Sequence, residues 1–124
     1  MTQIKNKILI VDDDSDSLLL IQTIIQRLGF YTLTAVNGLD AINIIKQESL
    51  KPDLIILDIF MPQMDGFETL TYIKKNFKDI PILILSAGGS DTLNKVKDLG
   101  AKYFVQKPIN QNKLQKSIFE IINN

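Results

Sequence analysis

Short uninterrupted apolar runs mark the chain at Ile8-Leu9-Ile10-Val11, Leu54-Ile55-Ile56-Leu57 and Ile82-Leu83-Ile84-Leu85. Each is too short for a helix and shows no polar alternation, so each reads as a strand buried on both faces, the signature of a parallel sheet. Ala101-Lys102-Tyr103-Phe104-Val105 is a further strand, and Tyr31-Thr32-Leu33-Thr34-Ala35, with its polar alternation, belongs nearer an edge. Between these runs the apolar positions switch to helical spacing: Leu18, Ile21, Ile25 and Leu28, then Leu39, Ala41, Ile42 and Ile45, then Phe67, Leu70, Ile73 and Phe77. Leu93, Val96 and Leu99 carry a fourth helix, and Leu114, Ile118, Ile121 and Ile122 a fifth. Strands alternating with helices imply right-handed crossovers and an α/β doubly wound parallel sheet.

The punctuation agrees with this division. Asp14, Ser15 and Asp16 offer oxygens to cap the first helix and Gly29 stops it. Asn37-Gly38 turns the chain, and Gln47-Glu48-Ser49 with Pro52 closes the second helix. Met61-Pro62 and Asp65-Gly66 break the chain after the central strand, and the third helix begins near Gly66. Ala87-Gly88-Gly89-Ser90 reads as a loop able to change shape. Ser90 is expected to cap the fourth helix, Gly100 to end it, and Asn110 to cap the last.

Composition narrows the function classes. A length of 124 residues suits one compact domain over 1–124, and 45% hydrophobic with 23% charged residues is ordinary globular usage. Fourteen basic and fourteen acidic residues cancel, so nothing draws the whole chain toward nucleic acid or an anionic membrane. Cysteine is absent, which removes disulfides, thiolate chemistry and cysteine zinc sites; histidine is absent too, which removes the commonest general base. No segment approaches membrane-spanning length and the amino end has no secretory pattern, so a cytoplasmic location is expected.

If the apolar runs are parallel strands, their carboxyl ends share one edge, where open α/β sheets bind ligands. That edge carries Asp12-Asp13, Asp58, Ser86 and Lys107. Taken singly, Asp14 and Asp16 are helix caps, Ser86 a loop residue and Lys107 a solvated lysine; together, four strand ends with complementary chemistry point to a site. Three neighbouring carboxylates repel unless a cation compensates, and oxygen ligands without histidine or cysteine suit Mg²⁺. Beside such an ion Asp58 is placed to act as the nucleophile toward a phosphoryl group, with Ser86 and Lys107 aimed at its oxygens.

These motifs, Ile8-Leu9-Ile10-Val11-Asp12-Asp13, Leu57-Asp58 with Met61-Pro62 and Asp65-Gly66, Leu85-Ser86-Ala87 and Lys107-Pro108, occur in the order and spacing of a known family. Almost the whole chain resembles the receiver domain of two-component response regulators. The resemblance implies a flavodoxin-like (βα)5 three-layer sandwich with strand order 2-1-3-4-5. It implies that Asp58 accepts a phosphoryl group from a sensor histidine kinase or a histidine phosphotransfer protein, and that Asp12, Asp13, Asp58 and the backbone carbonyl of Phe60 hold Mg²⁺. Ser86 matches the hydroxyl that moves toward the phosphoryl group, Lys107 the family's lysine, followed by a cis Lys107-Pro108 bond, and Phe104 the switch aromatic. The downstream protein partner is expected on the face of the fourth helix, fifth strand and fifth helix.

Two residues depart from the commoner pattern. Phe60 sets a bulky apolar group two positions after the acceptor, so autodephosphorylation is expected to be slowed. Phe104 has no hydroxyl, so its switch must work by packing. Phe60 also argues against an aspartyl-phosphate phosphatase, which needs a second carboxylate at that position. A pseudo-receiver that binds partners without phosphorylation is the other alternative, and the complete set of pocket residues argues against it.

Overall fold

The computed structural model describes residues 6–47, 51–59 and 66–123. Along them run β1 (Lys7–Val11), α1 (Ser15–Arg27), β2 (Tyr31–Ala35), α2 (Gly38–Ile45), β3 (Leu54–Asp58), α3 (Gly66–Asn76), β4 (Ile82–Ser86), α4 (Ser90–Asp98), β5 (Tyr103–Gln106) and α5 (Gln111–Ile122). The strands form one parallel sheet in the order β2-β1-β3-β4-β5. This is the flavodoxin-like doubly wound arrangement, with helices on both faces.

Alternation within the buried strands feeds two cores. Leu9, Val11, Ile55, Leu57, Ile82 and Ile84 point toward α2, α3 and α4, where they meet Ala41, Ile45, Leu70, Ile73 and Val96. Ile8, Ile10, Leu54, Ile56, Leu83 and Leu85 point the other way, onto Ile21 and Ile25 of α1 and Leu114 and Ile118 of α5. Full burial of each such side chain stabilises by about 1.5–3 kcal/mol, which is why the interiors of the central strands are wholly apolar and polar residues stand only at their ends. β2 is an edge strand, and its mixed composition fits: Thr32 Oγ1 accepts hydrogen bonds from Gln22 and Gln26 of α1 at 3.1 and 3.2 Å.

Helix ends follow side-chain chemistry at three N-termini. Asp14 accepts from the Ser17 amide at 3.1 Å, Asn37 from Asp40 at 2.7 Å and Asn110 from Lys113 at 3.1 Å. Gly29 and Gly100 adopt φ of 95° and 99°, a region that costs glycine nothing, and close α1 and α4.

Two boundary expectations are corrected. Ser90 does not cap α4; it is the first helical residue, Gly89 holds the cap position, and no side-chain cap bond forms. The last strand begins at Tyr103 and runs to Gln106, two residues later than its start at Ala101 was expected. The cause is the end of α4, where the Ala101 amide donates to Val96 O at 3.0 Å and so belongs to the helix terminus rather than to the ladder. Phe77 lies just beyond α3, yet still packs against the core half-buried. Of the residues expected to close α2, Glu48 and Ser49 lie outside the described residues. Among the described residues no helix is long and apolar enough to cross a membrane.

Candidate functional site

Strand register sets the site. Val11 pairs with Leu57, so Asp12 follows one strand where Asp58 ends the next. Asp58 in turn pairs with Leu85, and Ser86 with Gln106, which brings Ser86 and Lys107 to the same edge. The Lys107 amide donates to Ser86 O at 2.9 Å and fixes that junction.

Asp12 is fully buried and Asp58 is 5% exposed, while Asp13 is open to solvent. One carboxylate oxygen from each of the three lies within 4.8 Å of the others. Asp12 Oδ1 accepts from the Asp14 amide at 2.9 Å. Its Oδ2 accepts from Lys107 Nζ at 3.2 Å, and the same ammonium stands 3.4 Å from Asp58 Oδ2. Buried charges are tolerable only when paired in this way. Burial of the lysine opposes its charge, but the carboxylates of Asp58 and Asp12 more than offset this and hold its pKa above that of an ordinary lysine.

Asp14 is differently employed. Its carboxylate is spent on the Ser17 end of α1, and those hydrogen bonds hold its pKa below the usual range. The acidic run thus divides into a capping residue and two that face the strand-end cluster.

Three carboxylates against one ammonium leave local negative charge in excess. The donors are all hard oxygens, a set that fits a small divalent cation and not a soft metal. Phe60, named in the sequence for its carbonyl, lies outside the described residues, as do Met61, Pro62 and Asp65.

Ser86 is half-buried, and its hydroxyl oxygen accepts from the Gly88 amide at 2.9 Å, so it is turned toward its own loop. Phe104 is half-buried; it packs against the α2-α3-α4 core and shares with Ser86 the lining of a cavity of about 380 Å³ beneath α4. The Lys107-Pro108 peptide is cis, as the resemblance implied.

Sequence reasoning gave Gly66 only a turn. Its amide donates to Ile59 O at 3.0 Å, and a Cβ built on it would overlap the Ile59 backbone. Only glycine lets the chain return to the strand end so closely; the Asp65-Gly66 breaker was the available signal. Also unseen were Lys95 and Lys97 of α4, whose ammonium groups lie 3.9 Å from the ring centroid of Phe67 and 5.8 Å from that of Phe104. No local pattern announces those contacts, because α3 and β5 supply the rings.

Known proteins share this fold. A chemotaxis protein of Vibrio cholerae, CheY4, superposes with a TM-score of 0.85 at 28% identity, covering 95% of this chain and 99% of that one. Sporulation initiation phosphotransferase F of Bacillus subtilis is 35% identical over 113 residues, 90% of each chain. A probable transcriptional regulator, ycf27, of Guillardia theta is 36% identical over 120 residues, 95% of this chain but 46% of its own length. The chain spans about half the length of most of the curated relatives it matches. Residues 8–119, from the first buried strand to the last helix and so including every strand end of the carboxylate cluster, match the family model of the response regulator receiver domain, and the chain belongs to that family.

Proposed function

We propose that this receiver domain is switched by a phosphoryl group carried on Asp58. The observation that supports the reading is the placement of Asp58 at the end of a fully buried strand, nearly enclosed, within reach of two further carboxylates and 3.4 Å from a lysine ammonium. A carboxylate held there is poorly suited to a purely structural task, since it adds to a charge excess that burial makes costly.

The donor is the phosphohistidine of a sensor kinase or a histidine phosphotransfer protein. A carboxylate oxygen of Asp58 attacks phosphorus in line, an O–P bond forms as the N–P bond breaks, and the electron pair leaves with the imidazole nitrogen, which takes a proton. Asp12, Asp13 and Asp58, with the carbonyl of Phe60, would hold Mg²⁺, which supplies positive charge to the phosphoryl oxygens during transfer. Lys107 stays beside Asp58 and neutralises one phosphoryl oxygen as a point charge. Ser86 exchanges its bond from Gly88 for a hydrogen bond donated to another. Departure of that hydroxyl frees the end of the cavity beneath α4, Phe104 turns into it, and the face formed by α4, β5 and α5 changes its affinity for a downstream protein. Phe60, two positions after the acceptor, is the bulky apolar group to which we assign slowed hydrolysis of the acyl phosphate.

Reductive trapping tests the assignment. Incubation with phosphoramidate and Mg²⁺, followed by borohydride, converts an acyl phosphate to an alcohol that peptide mapping can locate. Modification at position 58 and nowhere else is the expected result. Modification at another carboxylate, or none with Mg²⁺ present, contradicts it.

A further inference from the structure

Helix α4 stands over the proposed switch residues. Val96 is the one fully buried side chain among the described residues of α4, and no side chain caps its first turn. Beneath it lies the cavity of about 380 Å³, bounded by Ile84, Ser86, Leu93, Val96 and Phe104. On the outside, two ammonium groups of the same helix reach aromatic rings on other elements. Lys95 Nζ sits 3.9 Å from the ring centroid of Phe67 on α3, and Lys97 Nζ sits 5.8 Å from that of Phe104 on β5.

Phe104 therefore has two competing environments. Inside, a largely apolar space is open to it; outside, its ring faces a cation. It has no hydroxyl with which to hydrogen-bond in either place, so the balance is set by packing and by the ring quadrupole alone. The ammonium contact favours the outer arrangement and is forfeited when the ring turns in. Phe67 is not among the residues that the proposed switch moves, so the contact with Lys95 is common to both arrangements.

We propose that Lys97 is a positioning residue that holds Phe104 outward and so biases the domain against the arrangement stabilised by phosphorylation; this rests on the phosphoacceptor reading of Asp58. A ligand that stabilises the inward state must work against that bias, and removing the cation lowers the opposition. An exposed contact of this kind corresponds to about a two- to five-fold change in the switching equilibrium.

Beryllofluoride, which occupies the phosphoryl position without covalent chemistry, provides the test through calorimetric titration in excess Mg²⁺. Lys97→Met, which keeps the length of the side chain and removes its charge, is expected to bind about two- to five-fold more tightly than the wild type. Lys95→Met is expected to bind as the wild type does. In a Phe104→Ala background Lys97→Met is expected to change nothing, because the ring through which it acts is gone. Unchanged affinity in Lys97→Met, or an equal gain in the Phe104→Ala background, overturns the proposal while leaving Asp58 as acceptor. Failure of the folded wild type to take beryllofluoride at all overturns the phosphoacceptor reading itself, and this proposal with it.

Discussion

The ammonium of Lys107 lies 3.2 Å from Asp12 Oδ2, a residue 95 positions earlier in the chain, and it bridges from there to Asp58. This pairing joins the last strand end to the first across the sheet and makes one contribution to stability that depends on pH. The folded-state pKa of Lys107 is raised above 10.5, against the opposition of burial, by the carboxylates of Asp58 and Asp12. A raised lysine pKa means that the pairing stabilises fully below the unfolded value and is lost as pH rises through the folded one. Urea midpoints should run parallel for the wild type and Lys107→Met well below pH 10.5 and fall more steeply for the wild type above it. Curves parallel throughout would show that the bridge contributes nothing to folding.

Divalent metal should stabilise the native fold through the same carboxylates. Mg²⁺ bound only to the native state at a hundred times its Kd adds about 2.7 kcal/mol. Chelator should remove the whole increment from a thermal unfolding curve. Asp13→Asn tests the assignment cleanly, since Asp13 is exposed and its loss leaves no buried group unpaired. The variant is expected to fold as the wild type does without metal and to gain little from Mg²⁺. An equal gain in both proteins would place the ion elsewhere.

Gly66 is expected to tolerate no side chain. A Cβ there overlaps the Ile59 backbone, which cannot yield as a flexible side chain would. Gly66→Ala should cost about 1–3 kcal/mol or more in denaturant midpoints, in the range of an overpacked core. The contrasting position is Gly89, where a Cβ meets nothing within 4 Å and the backbone already has an extended cap conformation. Gly89→Ser should change stability by only a few tenths of a kcal/mol, in the favourable direction. Equal effects at the two glycines would mean that the close return of the chain to Ile59 is not rigid.

Much of this architecture is legible in the chain because its central strands are buried on both faces. Ile8 to Val11 and Leu54 to Leu57 must be continuously apolar, and the first polar residue after each marks where the strand leaves the core. Asp12 and Asp58 are visible for that reason, and parallel pairing alone puts them on one edge. The start of β5 was misplaced because Ala101 and Lys102 look extended in isolation, while the Ala101 amide is claimed by the end of α4. Ser90 looked like a cap by residue type, although Gly89 already occupies that backbone position. The half-burial of Phe104 and its contact with Lys97 were illegible, since both depend on how far α4 stands off the sheet. Capping chemistry is local and reads well; the seating of a weakly anchored helix is tertiary and does not.

The most direct measurement is intact mass after incubation with acetyl phosphate, on the wild type and on Asp58→Asn, with Mg²⁺ and with chelator. The account predicts a single added phosphoryl group on the wild type, present only with Mg²⁺ and absent from Asp58→Asn. Equal labelling of the variant, or labelling of the wild type that chelator does not abolish, would contradict it.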